Sequence, residues 1–476
     1  MPGQGYFRGL PPLLGALENY RRLQRDSWHT PGHKDGAGAW PAWRDFIGPH
    51  VFACDLTELP DLDNLQQPAG AIRAAQEQAA AFFGAGHTFF LVNGATAGIL
   101  SVFLATCSPG DVVLLPRYAH RSAFAGLILT GARPVYLEAD WLKEPLLPLG
   151  IRPEVLAAAL EKHPRARLLF LVYPTYEGIV PRAEGLIALA HAHHVEVLAD
   201  EAHGSHYGLE PRLPSPALKL GADYVVQGAH KTLSAFTQAA MLHIRQGLDW
   251  EKVAAALNLV QTTSPSYLLL ASLDAARYQA QLKGRELWTF VLDLALELRD
   301  KLSKLGLPCL GPEEVCSPAA LTLDLTRLVI PTAPLGCRGE EAAETLRRSY
   351  RQEVEMAGKD YLLILLTPGD REEKVERLVA GLQGLARRSG RQLLDWRLPA
   401  LPVHIPPFVL TPREAFLARR HRVPLKEAAG KVAAEIIAPC PPGCCLTAPG
   451  ELLTEEMVDY LRQVLGPEAG IMVVEE

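Results

Sequence analysis

Between Thr88 and Arg245 the chain alternates short apolar runs with helical patterns, and no other feature restricts the fold as much. TFFLV (88–92), DVVLL (111–115), RPVYL (133–137), RLLFLVY (167–173), VEVLAD (195–200), DYVVQ (223–227) and AAMLHIR (239–245) read as strands. They are rich in Val, Leu and Phe with little in–out alternation, as strands covered on both faces are. Residues 153–163 and 182–194 are examples of the helical patterns between them. Such β-α repetition predicts an α/β fold with a mostly parallel sheet and helices on both sides. Right-handed crossovers then gather the loops after the strands at one edge, where ligands bind.

The chain has 476 residues, too many for one compact core. Hydrophobic residues make up 48% and charged residues 21%, which excludes a disordered chain, a collagen and a coiled coil. Lys and Arg total 47 against 53 Asp and Glu, a net charge of −6, so the surplus of cations that phosphate backbones require is missing. Residues 88–110 carry no charge, but Asn93, Gly94, Thr96, Gly98, Ser101, Thr106 and Ser108 interrupt them. A strand, a Gly turn and a buried helix explain this stretch better than a membrane span. The first 22 residues hold no basic segment followed by a continuous apolar one, so a cytoplasmic protein is expected. Eight dispersed cysteines fit reduced thiols.

Residues 272–305 read as a long helix able to bridge two domains, and the Pro-rich stretch 308–323 marks a boundary. Beyond it 322–325, 361–367 and 432–438 read as strands, 371–388 as a helix and 399–412 as an extended connector. The expected division is a 1–60 arm and motif segment, a 61–307 large domain and a 308–476 smaller α+β domain.

Three loops after these strands carry chemistry. Asn93-Gly-Ala-Thr-Ala-Gly98 is a Gly-bearing turn into a helix, where bare N–H groups of Ala95 and Thr96 and the Thr96 hydroxyl suit a phosphate. It contains neither GxGxxG nor GxxxxGK[ST], which argues against dinucleotides and nucleoside triphosphates. Asp200 ends a strand in Asp200-Glu-Ala-His-Gly204, and Lys231 lies in Gly228-Ala-His-Lys-Thr232. Each alone has a plainer explanation: a strand–helix junction, a helix cap and a surface lysine. Together, in this order, they make the set that pyridoxal phosphate (PLP) requires: a phosphate cradle, an acid for the pyridine nitrogen and an amine for the aldehyde.

The chain resembles the Orn/Lys/Arg decarboxylase family, in a short form on the aspartate-aminotransferase-like (fold type I) scaffold. The resemblance rests on TPGHKDG (30–36), DLTELPDLDNL (55–65), LVNGATAGI (91–99), RYAHRS (117–122), YPTYEG (173–178), DEAHGSHYG (200–208), QGAHKTLSAFTQAA (227–240), TTSPSYLLLASLDAAR (262–277), LTPREAF (410–416) and PPG…PGE (441–451). It implies that Lys231 is the Schiff-base lysine and Asp200 the partner of the pyridine nitrogen. It also implies that His120 stacks on the ring, that Ala202 packs on the other face, and that Ala95, Thr96 and Thr175 hold the cofactor. His230 is expected by the phosphate or the substrate carboxylate, and Lys231 or a nearby His such as His203 as the proton donor. Thr263 and Ser264 are expected to reach a neighbouring subunit's cofactor, which implies a homodimer or larger homo-oligomer. His33, Lys34, Glu58 and Glu177 are the substrate-side candidates, with Asp61, Asp63 and Glu201 further acidic residues in the same loops. The implied reaction is decarboxylation of a basic amino acid, arginine first, then lysine or ornithine, feeding polyamine synthesis.

The chain departs from the family pattern at Gly228, where a Ser is usual, at Asp35 and in Pro439-Cys-Pro-Pro-Gly-Cys-Cys445. The first departure predicts weaker cofactor retention, recoverable by Gly228→Ser. The same scaffold serves aminotransferases and aldolases, and a member without catalysis is the remaining alternative. No metal is expected: the HAHH run (191–194) suits a helix end, and the late Cys cluster ligates one ion poorly.

Overall fold

The computed structural model describes residues 9–388, 406–438, 445–466 and 468–475. The chain divides into two compact units. The first comprises Met1–Ala105, Asp200–Pro211 and Ser215–Arg285, and the second comprises Thr106–Ala199, Arg212–Pro214 and Glu286–Glu476.

In the first unit three strands lie side by side in the order His87–Leu91, Ala240–Ile244, Tyr224–Gln227. Both pairings are antiparallel, with Thr88 opposite His243 and Leu242 opposite Val226. These strands are almost wholly buried, which explains their lack of alternation. Their apolar side chains join Leu13, Leu17, Leu62, Ile72, Tyr267 and Leu270 in one core. Asp63 fastens the start of the helix Ala71–Phe83: its carboxylate accepts from Gly70 N at 2.7 Å and Ile72 N at 2.9 Å. An anion at that end also favours the helix dipole.

The second unit holds the parallel part of the fold. Val112–Pro116 runs parallel to both Arg133–Leu137 and Ala166–Val172, and Glu196–Asp200 follows Ala166–Val172 in the strand order. The predicted α/β reading holds, and all seven predicted strands are present within one residue of their expected bounds. Helices Pro153–Lys162 and Ala183–Ala192 match the predicted patterns. The long helix starts five residues earlier than read, at Tyr267, and runs to Lys304; the chain leaves the first unit within it, after Arg285.

Further along, Ala320–Leu323, Tyr361–Leu365 and the helix Glu372–Arg388 occur close to where they were expected. Residues 432–438 do not form the predicted strand. Val432, Ala433 and Ile437 make isolated bridges to three different segments, at Leu452, Val473 and Thr447, so no continuous ladder develops. Residues 399–405 of the expected connector, and 439–444 of the altered Pro-Cys loop, lie outside the described residues. Among the described residues no helix is long and apolar enough to cross a membrane.

Candidate active site

The strand His87–Leu91 runs through Val92 into the cradle loop. Gly94 has φ +73°, a left-handed conformation that suits a residue without a Cβ, and the helix Gly94–Thr106 begins there. No acidic residue occupies the first turn of this helix, so no carboxylate of that turn repels an anion at its N-terminus. Ala95 is half-buried and Thr96 exposed. Side chains hold the loop from behind: Gln261 Oε1 accepts from Val92 N at 2.9 Å, while Gln238 donates to the Val92 carbonyl. Asn93 Oδ1 accepts from Thr262 N at 3.1 Å, which ties the cradle to the exposed residues Thr263 and Ser264.

Asp200 closes its strand with 7% exposure, and one carboxylate oxygen accepts from Ala202 N at 3.1 Å. Lys231 lies in the single helical turn Ala229–Thr232 that follows Tyr224–Gln227. Its Nζ is 2.7 Å from His203 Nε2, so the loop after Asp200 and the loop bearing Lys231 meet through their side chains. They also meet through backbone: a Cβ placed on Gly228 would stand 2.8 Å from the Ala202 carbonyl oxygen. His230 Nδ1 donates to the Ala239 carbonyl at 3.0 Å, which leaves Nε2 as an acceptor. Burial lowers the His230 pKa; the Ala239 bond opposes that shift and the Lys231 charge adds to it.

His120, Thr175 and Glu177 belong to the second unit. His120 is exposed and caps the helix Arg121–Thr130, its Nδ1 accepting from Ser122 N at 3.2 Å. The imidazole is therefore held by its own helix. Thr175 is buried, and its hydroxyl accepts from Ile179 N at 3.2 Å. Glu177 is 1% exposed and accepts the Tyr361 hydroxyl at 3.0 Å; burial raises its pKa. That setting describes an internal fastening.

The other substrate-side candidates lie in the first unit with local partners. Glu58 accepts from Asn64 Nδ2 at 2.6 Å and Leu65 N at 2.9 Å, so both of its oxygens hold that loop. His33 Nε2 pairs with Asp55 at 3.1 Å, and Lys34 Nζ donates to the His29 carbonyl. Asp61 pairs with Arg25 at 2.5 Å. A cavity of about 570 Å³ in the same unit is lined by Phe90, Trp250, Gln261 and Thr262 among others, but not by Lys231, Asp200 or His203.

A family model for the Orn/Lys/Arg decarboxylase major domain matches residues 11–324, and one for the C-terminal domain matches 402–467. The chain belongs to the Orn/Lys/Arg decarboxylase family. An arginine decarboxylase of Bacillus subtilis is 38% identical over 465 residues, which cover 97% of this chain and 94% of the relative. A lysine decarboxylase of Pseudomonas aeruginosa is 27% identical over 96% of this chain and 76% of its own. The solved structure of the constitutive lysine decarboxylase of Escherichia coli superposes with a TM-score of 0.85 at 20% identity, covering 98% of this chain and 82% of the other, and so shares the fold.

In this Orn/Lys/Arg decarboxylase family chain, the residues that sequence reasoning passed over are the amides. Gln238 and Gln261 take both backbone groups of Val92, yet a glutamine carries no charge or nucleophile that would single it out. The only sequence signal was position: Gln238 lies inside the Lys231 motif, and Gln261 stands just before Thr262.

Proposed function

We propose that the chain is a PLP-dependent decarboxylase of basic amino acids, with arginine the first substrate and lysine or ornithine next. The observation that carries this reading is the 2.7 Å contact of Lys231 with His203, three residues beyond the buried Asp200. It brings an amine, an imidazole and a carboxylate to adjoining strand-end loops, with a helix N-terminus free of acidic residues on a third loop of the same unit. This donor set fits PLP, whose aldehyde, ring nitrogen and phosphate ask for an amine, an acid and an anion cradle. When bound, PLP supplies the electron sink for the bond that loses carbon dioxide.

Each residue then has a defined task. Ala95 and Thr96 offer N–H groups, and Thr96 a hydroxyl, to the phosphate. Asp200 keeps a proton on the ring nitrogen through a charge-assisted bond. Lys231 must be a neutral amine to hold the aldehyde, and His203 Nε2 accepts its proton across the hydrogen bond. Once free of the aldehyde, the same pair would be the proton source for the carbon that has lost its carboxylate. We assign ring stacking to His120 and a packing role on the opposite face to Ala202. Thr263 and Ser264, exposed in the single chain, are assigned to a neighbouring subunit's site, so the functional unit is at least a dimer.

The near-complete coverage of an arginine decarboxylase at 38% identity supports arginine as the first choice. The test is an amine-product screen with PLP and arginine, lysine, ornithine, glutamate and aromatic amino acids. Agmatine as the main product supports the proposal. Activity confined to glutamate or an aromatic substrate, or keto-acid products without carbon dioxide, refutes it. Lysine and ornithine differ by one methylene, worth only about 1–3 kcal/mol in discrimination, so cross-activity between them is expected.

A further inference from the structure

The decarboxylase reading leaves unused a row of buried polar side chains in the first unit. Thr88 Oγ1 lies 2.8 Å from His243 Nδ1, and His243 Nε2 lies 3.1 Å from Gln227 Oε1. Gln227 Nε2 donates to Glu201 Oε1 at 2.6 Å, and Ala217 N donates to the other Glu201 oxygen at 2.5 Å. None of the four side chains exceeds 2% exposure.

The row has one consistent sense. The Gln227 amide nitrogen donates to Glu201, and its oxygen faces His243. His243 must then carry its proton on Nε2, and its bare Nδ1 accepts from the Thr88 hydroxyl. Burial lowers the His243 pKa to about 3, which keeps the ring in the neutral form that this pattern requires.

Three members stand at short, fixed steps from the groups assigned to the cofactor. Thr88 precedes Asn93 by five residues on the strand that enters the cradle. Gln227 precedes Lys231 by four, and Glu201 directly follows Asp200. The fourth, His243, sits opposite Thr88 and links it to Gln227. A slipped strand would separate these partners and leave polar groups buried without bonds, so the row admits one register only.

We propose that Thr88, His243, Gln227 and Glu201 are positioning residues that fix the register of the strand ends holding the phosphate cradle, Lys231 and Asp200. This inference rests on the PLP reading above. Backbone ladders alone tie neighbouring strands; the side-chain row adds a constraint that runs across all of them.

The test uses the purified full-length protein with Gln227→Leu, Thr88→Val and the double variant. Three quantities are read: PLP affinity by titration, the circular dichroism of bound PLP and the melting temperature without cofactor. Gln227→Leu cuts the row in the middle and is expected to weaken PLP binding about tenfold and to change the dichroic band. Thr88→Val removes only the terminal hydroxyl at nearly constant volume, with about threefold weakening expected. The double variant should lose less than the product of the two, because one cut already releases the row. If Gln227→Leu fails to fold, Thr88→Val decides by itself. Variants that melt lower yet keep wild-type PLP affinity and dichroism overturn the proposal, since the row then contributes stability alone. A wild-type chain that takes up no PLP is a distinct result: it overturns the cofactor reading, and this inference with it.

Discussion

Gly228 approaches Ala202 so closely that a Cβ at position 228 would stand 2.8 Å from the Ala202 carbonyl oxygen and 3.2 Å from Lys231 Cδ. Backbone, not a flexible chain end, is what it would meet. The motif comparison predicts that a serine here adds a phosphate hydroxyl and tightens PLP. The geometry reverses the sign: Gly228→Ser must first move the loop after Asp200 away from the loop bearing Lys231. PLP affinity is therefore expected to stay level or weaken in Gly228→Ser and in Gly228→Ala alike. A titration in which Gly228→Ser binds markedly tighter, and Gly228→Ala does not, would show that the hydroxyl outweighs the crowding.

The Lys231–His203 contact separates two roles that are easily merged. Lys231→Ala removes the amine and is expected to abolish both decarboxylation and the absorbance of lysine-bound PLP. His203→Gln keeps an acceptor for Lys231 but cannot store a proton. It should retain the absorbance while slowing turnover about 10²-fold or more, the usual span for a lost acid–base group. Asp200→Asn is expected to bind PLP yet turn over slowly, because the ring nitrogen loses its charged partner. Single-turnover kinetics beside absorbance spectra check all three, and near-normal turnover in Lys231→Ala would remove the assignment.

The strands and the chemistry-bearing loops were legible because burial on both faces writes itself as uninterrupted Val, Leu and Phe. The phosphate cradle, carboxylate and amine proposed for the site are also rare enough in that order to be noticed. What stayed hidden has physical reasons. The hairpin Ala139–Lys143 with Leu146–Ile151 mixes Asp140, Lys143 and Pro148 into its strands and breaks the pattern. Residues 432–438 look like a strand by composition, but their bridges go to three partners. Glu58 and Glu177 drew notice as acids near the motifs, whereas their partners, Asn64, Leu65 and Tyr361, are set by tertiary contacts that no local pattern encodes.

Glu201 makes a prediction about pH. Burial raises its pKa to about 8, against the lowering pull of its bonds to Ala217 and Gln227. Its folded pKa lies above the unfolded value near 4.5, so folding favours the protonated form. That contribution is fully present below the unfolded value and is lost as pH rises through about 8. His243 acts at the other end. Its folded pKa of about 3 lies below 6.5, so its contribution is present above 6.5 and fades as pH falls through 3. Melting temperatures of wild type and Glu201→Gln at pH 5 and pH 9 give the check. The wild type should lose more stability than the variant over that interval, and parallel losses would rule out Glu201 as the titrating group.

Arg117 and Glu451 form a buried pair inside the second unit that joins the turn before His120 to the C-terminal PGE segment. Glu451 is wholly buried, and Arg117 binds both of its oxygens while donating to the carbonyls of Cys445 and Leu446. The guanidinium also lies 4.6 Å from the centre of the Tyr136 ring. Burial raises the Glu451 pKa and the Arg117 charge holds it down, so the carboxylate depends on its partner. Removing one member strands the other charge in a dry site, a loss of about 3–5 kcal/mol. Glu451→Ala is therefore expected to lower the urea midpoint strongly. The double variant Arg117→Met with Glu451→Leu replaces both charges by apolar groups of similar volume and should regain most of that loss. His120 lies three residues beyond Arg117, and Ala119 N bonds back to the Pro116 carbonyl at 3.2 Å, so the double variant also reports on the site. If it recovers stability but not turnover, the pair orients the His120 turn as well as holding the fold. If Glu451→Ala unfolds at the wild-type midpoint, the pair contributes nothing measurable and the argument from burial fails.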